Sequence, residues 1–278
     1  MPIKIGFTER GDGGRDVDTW LPKVRNHEVN GAVIVTKTIT AKLAKVLLDL
    51  WQDGYHRLIL HCTCTGWGGS YMEPGGFLPY DQIHALRALC YEGFPLHNTV
   101  LRIDPIIPTK EGIGKAVEVL QGAAFAGLFD DMTDSPRLRF SILDNYPHTR
   151  ARFAAAGIDA PYGNNFTAPP YMLQNTYERL HACHDELSSR HTMSALETCA
   201  ESYTGQYLST HPDAPFKANV GCLSDNDLRI MGFTDEEINS VTGLNPQNRK
   251  GCCCLSCKTE LLERRHPCPN GCLYCYWK

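Results

Sequence analysis

Ala32-Val-Ile-Val-Thr36, Ala41-Lys-Leu-Ala-Lys-Val-Leu-Leu-Asp-Leu-Trp51 and Leu58-Ile-Leu-His-Cys-Thr63 read together as one strand–helix–strand unit. The outer runs are short, rich in β-branched and apolar residues, and bounded by polar or glycine-containing stretches. The middle run places Leu43, Val46, Leu47 and Leu50 at helical spacing. Similar runs recur at 3–8, 99–103, 139–143 and 193–198, with helical patterns at 82–91, 115–125 and 172–190. Strand–helix alternation implies βαβ units and a parallel sheet. Six such units predict an α/β fold of the partial (β/α)6 TIM-barrel type, with an open doubly wound sheet as the alternative.

Two segments lack periodicity. Residues 157–170, with three prolines, and 205–219 read as irregular loops, the first placed to cover a site. After about Cys222 the pattern shrinks to one short helix at 234–241, followed by a cysteine-rich tail. The expected organisation is a barrel over 1–204 with a tail over 205–278 packed on it as one structural unit.

The 278 residues are 42% apolar and 21% charged, with a net charge of −4. That balance does not favour nucleic acid as the main partner. No apolar run approaches the ~20 residues that span a bilayer, and the start, Met-Pro-Ile-Lys-Ile-Gly, lacks the regions of a signal peptide. The expected location is the cytoplasm, with no membrane partner. Thirteen cysteines in a reducing compartment point to metal rather than disulfides, and seven of them lie between Cys252 and Cys275.

The tail ends Cys268-Pro-Asn-Gly-Cys272-Leu-Tyr-Cys275-Tyr-Trp-Lys. Three thiolates on a short loop can hold three irons of a [4Fe–4S] cluster and leave the fourth open. An open iron can chelate the amino and carboxylate groups of S-adenosylmethionine, and an electron from the cluster then cleaves the sulfonium bond to a 5′-deoxyadenosyl radical. Tyr274 is an aromatic on which the adenine could pack. The competing reading is a non-catalytic zinc site. Cys254-x2-Cys257 and Cys272-x2-Cys275, 14 residues apart, are one short of a four-cysteine zinc spacing.

A resemblance favours iron. Val35-Thr36-Lys37, Thr65-Gly66-Trp67-Gly68 with Glu73-Pro74, Arg102-Ile103-Asp104-Pro105-Ile106, Phe140–Tyr146, Cys199-Ala200-Glu201, Arg249, Cys252, Cys254 and Gly271–Tyr276 together resemble the DUF1848 family. Its members are often labelled as relatives of spore photoproduct lyase or as DNA repair photolyases. The resemblance implies a radical S-adenosylmethionine enzyme whose cluster motif has moved to the C-terminus, a tail folded back over the strand ends, and an unknown substrate, a nucleobase or a small metabolite. It also implies an external electron donor of the flavodoxin or ferredoxin type. Where relatives tend to read Ser-x-Asp-Ile-Gly, this chain reads Cys257-Lys-Thr-Glu-Leu, which weakens a zinc site that depends on Cys257.

Cys199, Cys222, Cys252 and Cys254 fall where the family carries cysteines. They could hold an auxiliary [4Fe–4S] cluster, giving one cluster or two, with buried core thiols as the bland alternative. The glycine-rich stretch Gly66, Gly68 and Gly69 with Glu73 resembles the device that grips the cofactor's amino group. Arg102 and Asp104 share a strand face and could bind cofactor or substrate, or simply each other. Lys37 is a candidate for the cofactor or an anionic substrate. His61 and Thr63 share the opposite face from Cys62 and Cys64, which read as packing residues.

Overall fold

The computed structural model describes residues 3–131, 134–241, 253–262 and 268–277. Among them, eight strands form one sheet in the order β7-β6-β5-β4-β3-β2-β1-β8. The strands are β1 (Ile5–Phe7), β2 (Gly31–Thr36), β3 (Leu58–Thr63), β4 (Thr99–Ile106), β5 (Arg137–Ile142), β6 (Leu196–Thr198), β7 (Phe216–Lys217) and β8 (Lys258–Glu260). Every neighbouring pair is parallel. The helices are α1 (Val17–Arg25), α2 (Ala41–Gln52), α3 (Pro79–Tyr91), α4 (Lys110–Phe125), α5 (Pro147–Ala155), α6 (Pro170–Ser188), α7 (Tyr203–Thr210), α8 (Asp225–Ile230) and α9 (Asp235–Asn239). None of the described helices is long and apolar enough to cross a membrane.

From β1 to β7 the strand order follows the chain. Right-handed crossovers then place every connecting helix on the same side. The two cores agree. Leu58, Leu60 and Cys62 of β3, with Leu101, Leu138 and Leu196, pack against Trp20, Leu43, Leu86, Leu120, Phe153 and Tyr177 of the helices. The alternate residues Ile59 and Val100, with Ile5 and Phe7, pack instead against Leu228 of α8, Ile238 of α9 and Cys254. A doubly wound sheet reverses its strand order and carries crossover helices on both faces; β1 to β7 do neither. Central strands buried on both faces need continuous apolar runs, which β2 and β3 supply.

The local signals work where they are strong. Thr40 accepts the Leu43 N–H at 3.1 Å, capping α2, and Leu43, Leu47 and Leu50 bury its apolar stripe. The 205–219 segment departs from the expected irregular loop. It contains most of α7 and the strand β7. Tyr207 packs 5.3 Å from Tyr177 and 5.5 Å from Phe216; these tertiary contacts order a helix whose Gly205 lowers its propensity. A two-residue edge strand carries no periodicity to read. β8, from the tail, adds a strand beside β1, so the 205–278 region supplies both edges of the sheet.

Candidate functional site

The strand ends meet first at Asp12, in the loop after β1. Its carboxylate is buried and accepts from the Gly14 and Lys37 N–H groups at 2.9 and 2.8 Å and from the Thr36 and Thr38 hydroxyls at 2.6 and 2.9 Å. A fifth donor, Asn270 Nδ2 at 2.6 Å, belongs to the tail. Asn270 Oδ1 accepts in turn from Arg15 Nε at 3.3 Å, and Arg15 Nη2 donates to the Gly75 carbonyl at 2.6 Å.

The tail therefore lies over the C-terminal ends of the strands. The Gly75 N–H donates to the Asn270 carbonyl and the Leu273 N–H to the Met72 carbonyl, at 3.1 and 3.0 Å. A Cβ on Gly75 would fall 2.0 Å from the Pro269 carbonyl oxygen, so the tail can seat only on glycine there. Farther on, Arg152 of α5 donates to the Cys275 and Trp277 carbonyls, both at 2.6 Å, and His148 meets the Tyr276 carbonyl at 2.8 Å. Ten residues thus reach from the β1 loop to the helix after β5.

Cys268, Cys272 and Cys275 sit half-buried on two successive turns, closed by Gly271 N–H to the Cys268 carbonyl and Cys275 N–H to the Cys272 carbonyl, both 3.1 Å. Burial pushes the Cys272 thiol up to about 12; Lys37 opposes this, while Glu73 and the two other tail thiols add to it. Burial likewise pushes Cys268 up to about 11. Cys272 is thus within electrostatic reach of Lys37 and Glu73.

Lys37, at the end of β2, pairs with Glu73 at 3.0 Å. Burial opposes its charge, but Glu73 and Cys272 more than compensate and hold its pKa above the ordinary value. Glu73 also accepts from the Thr65 hydroxyl. Tyr274, expected beside an adenine, is buried: its hydroxyl accepts from Lys37 Nζ at 3.1 Å and donates to Thr65 Oγ1 at 3.4 Å. It latches the tail onto β2 and the loop after β3. Gly66, Gly68 and Gly69 lie in that same loop, and the space beside each is filled by the chain itself: the Lys115 backbone, the Phe77 carbonyl and the Leu78 side chain. Close packing of the loop accounts for these glycines.

On the sheet face opposite α1–α7, Arg102 pairs with Asp104, whose other oxygen accepts from Ser141. Arg102 Nη2 also lies 3.7 Å from Cys222 Sγ. Arg102 thus links Asp104 to a second group of thiols. That group is Cys199, Cys222 and Cys254, all buried, with sulfurs within 4.8 Å of one another. Cys252, expected with them, lies outside the described residues. The two CxxC pairs do not meet: Cys254 and Cys257 pack in one core, and Cys272 against the other. Cys62 and Cys64 pack in the helix-side core.

Several contributors are absent from the sequence reading. Arg139, fully buried, pairs with Glu197 at 2.5 Å and with Asp227 at 3.4 Å, and Arg137 also pairs with Asp227. Asp12 sits in Gly11-Asp-Gly-Gly14, which resembles an ordinary turn. Strand alternation along β5, in register with β4, puts Arg137 and Arg139 on the face of Arg102; Asp12, Asn270 and Arg152 carry no such signal. His61 is fully buried on this face with neither ring nitrogen hydrogen-bonded, and burial, with Arg102, Arg139 and Arg137 nearby, holds it neutral.

No curated protein matches the chain. A family model described as a domain of unknown function, DUF1848, matches residues 18–277, a span that takes in the Lys37–Glu73 pair, the Cys199, Cys222 and Cys254 group and the tail motif. The chain belongs to the DUF1848 family.

Proposed function

We propose that this protein is a radical S-adenosylmethionine enzyme whose cofactor site is made by the tail and the loop after β3. The observation that carries the reading is the seating of the CxxxCxxC turns across the strand ends, with Leu273 hydrogen-bonded to Met72 beside Glu73. Sites in parallel α/β folds collect at that end. The strand order of β1 to β7 and the one-sided helices support the finer fold reading, a partial (β/α)6 barrel closed by the tail.

The donor set fits the group. Cys268, Cys272 and Cys275 are half-buried thiols on consecutive turns, one thiolate for each of three irons. A [4Fe–4S] cluster held there would supply the electron that cleaves S-adenosylmethionine reductively to methionine and a 5′-deoxyadenosyl radical. Lys37 would offset the charge of the Cys272 thiolate, and Glu73 would fix Lys37 in place. Asn270 and Arg152 would hold the motif at its two ends, and buried Tyr274 would keep water from the space beneath it. Arg102 and Asp104 would line the approach for substrate. A small reductase of the flavodoxin or ferredoxin type would deliver the electron.

Anaerobic reconstitution with iron and sulfide tests this. The expected outcome is thiolate-bound iron with broad absorption near ~400 nm, and release of 5′-deoxyadenosine on adding S-adenosylmethionine and a reductant. Cys272→Ala should abolish that release. Zinc bound stoichiometrically to the tail cysteines, with no uptake of iron, overturns the reading.

A further inference from the structure

We propose that Cys199, Cys222 and Cys254 form a second metal centre, one that holds a single thiophilic divalent cation of the zinc class. It uses none of the tail-motif cysteines and stands independently of the cofactor reading.

Three thiols come from three separate segments: the end of β6, the loop before α8 and the stretch leading to β8. Cys199 and Cys222 are 23 positions apart and Cys222 and Cys254 are 32, yet their sulfurs converge inside a buried core. The Cys199 and Cys222 sulfurs are 3.5 Å apart. A tetrahedral ion with metal–sulfur bonds of ~2.3 Å spaces its thiolates by about 3.8 Å. A cubane binds each thiolate to a different iron and spreads them to roughly 6 Å. The observed spacing matches the single ion. The described residues supply three of its four corners.

The surroundings are built for thiolates. The Cys222 N–H donates to Cys254 Sγ at 3.0 Å, the backbone-to-sulfur contact that orients a thiolate ligand. Arg102 Nη2 lies 3.7 Å from Cys222 Sγ, and Arg139 Nη1 holds the Cys222 carbonyl at 3.1 Å. Three thiolates on a dication leave one negative charge, which Arg102 is placed to offset. Gly221 adopts φ +77, and a Cβ there would meet the Cys253 and Cys254 backbone at 3.0–3.1 Å. The loop can press its cysteine against the tail only with glycine at this position. The ion would pin the tail and the α8 loop to the sheet face opposite α1–α7.

The test uses the full chain carrying Cys268→Ser, Cys272→Ser and Cys275→Ser, so that the tail motif contributes nothing. After chelation and dialysis against zinc it should retain about one zinc per chain. Cobalt in place of zinc should give the intense ligand-field bands of a tetrahedral thiolate site. Adding Cys222→Ser should lower retention at least about tenfold, while Cys183→Ser, on the opposite face of the sheet, should leave it unchanged. Should the Cys222→Ser chain fail to fold, alkylation of the unsubstituted protein decides the matter. Zinc should then slow labelling of Cys199, Cys222 and Cys254 together, at least about tenfold against Cys183. The proposal is overturned by absence of bound zinc, by labelling that zinc does not change, or by four irons with sulfide in the triple variant. Failure of cofactor cleavage in the unsubstituted enzyme bears on the tail alone, so the two readings fail separately.

Discussion

Lys37 and Glu73, 36 positions apart, meet at 3.0 Å beside the hydroxyl of Tyr274, where a strand end, a loop and the tail converge. Glu73 is almost wholly buried and Lys37 mostly so. Removing one partner leaves the other as an uncompensated buried charge. Glu73→Leu and Lys37→Met should each cost about 3–5 kcal/mol of unfolding free energy, and the double variant should cost clearly less than their sum. Urea titrations of the three variants provide the cycle; strict additivity would mean that the two side chains do not share an interaction.

Asn270 ties the tail to the Asp12 carboxylate. A hydrogen bond to a charged group is worth about 1.5–3 kcal/mol, so Asn270→Ala should raise the opening of the tail roughly 10- to 100-fold. Alkylation of Cys268, Cys272 and Cys275, resolved by mass spectrometry in metal-free protein, should accelerate accordingly while Cys183 stays at its original rate. Unchanged tail labelling would show that Arg152 and the backbone bonds at Gly75 and Leu273 suffice to seat it.

Glu260 of β8 gives a pH test. Burial comes first among the causes that raise its carboxyl from 4.5 to about 7; Glu9 adds to it, and the Leu262 N–H opposes it. The folded protein therefore keeps this proton up to about pH 7, where the unfolded chain has already released it. The contribution to stability is full below about pH 4.5 and is lost as pH rises to about 7. Glu260→Gln should be more stable than the unsubstituted protein by about 1–3 kcal/mol at about pH 8, with the gap closing towards pH 5. A gap independent of pH would remove the raised carboxyl as its cause.

His61 is fully buried and neither of its ring nitrogens is hydrogen-bonded. Exchanging an unsatisfied polar group for an apolar one of similar size is close to neutral or stabilising. His61→Leu should hold or raise the melting temperature. A loss above about 2 kcal/mol would instead show that the imidazole serves an ordered water or a bound ligand.

Much of the fold was legible because its signals are local. The periodicity of Leu43, Leu47 and Leu50 and the apolar runs of β2 and β3 each lie within a dozen residues. β7, β8 and α7 were not legible, because two or three edge residues and a glycine-containing helix acquire order only from their neighbours. The cysteines themselves could be named from the chain, yet their grouping could not. Cys254 and Cys257 have the spacing of a metal pair, but Cys254 joins Cys199 and Cys222 instead.

Alternating periodicities dictate the parallel α/β class, and a spacing of seven residues dictates a three-thiol motif. Both depend on short-range geometry that the backbone imposes wherever the chain goes. What that motif faces depends instead on contacts distant in the chain. Asp12 collects donors from the β1 loop, β2 and residue 270, and Tyr274 is spent on Lys37 and Thr65 rather than left open. Apart from Gly14, two positions from Asp12, these partners lie 24 to 258 positions apart. No local propensity encodes such a pairing; it follows from burial, because a carboxylate or an ammonium taken out of water must find its partners wherever the fold brings them.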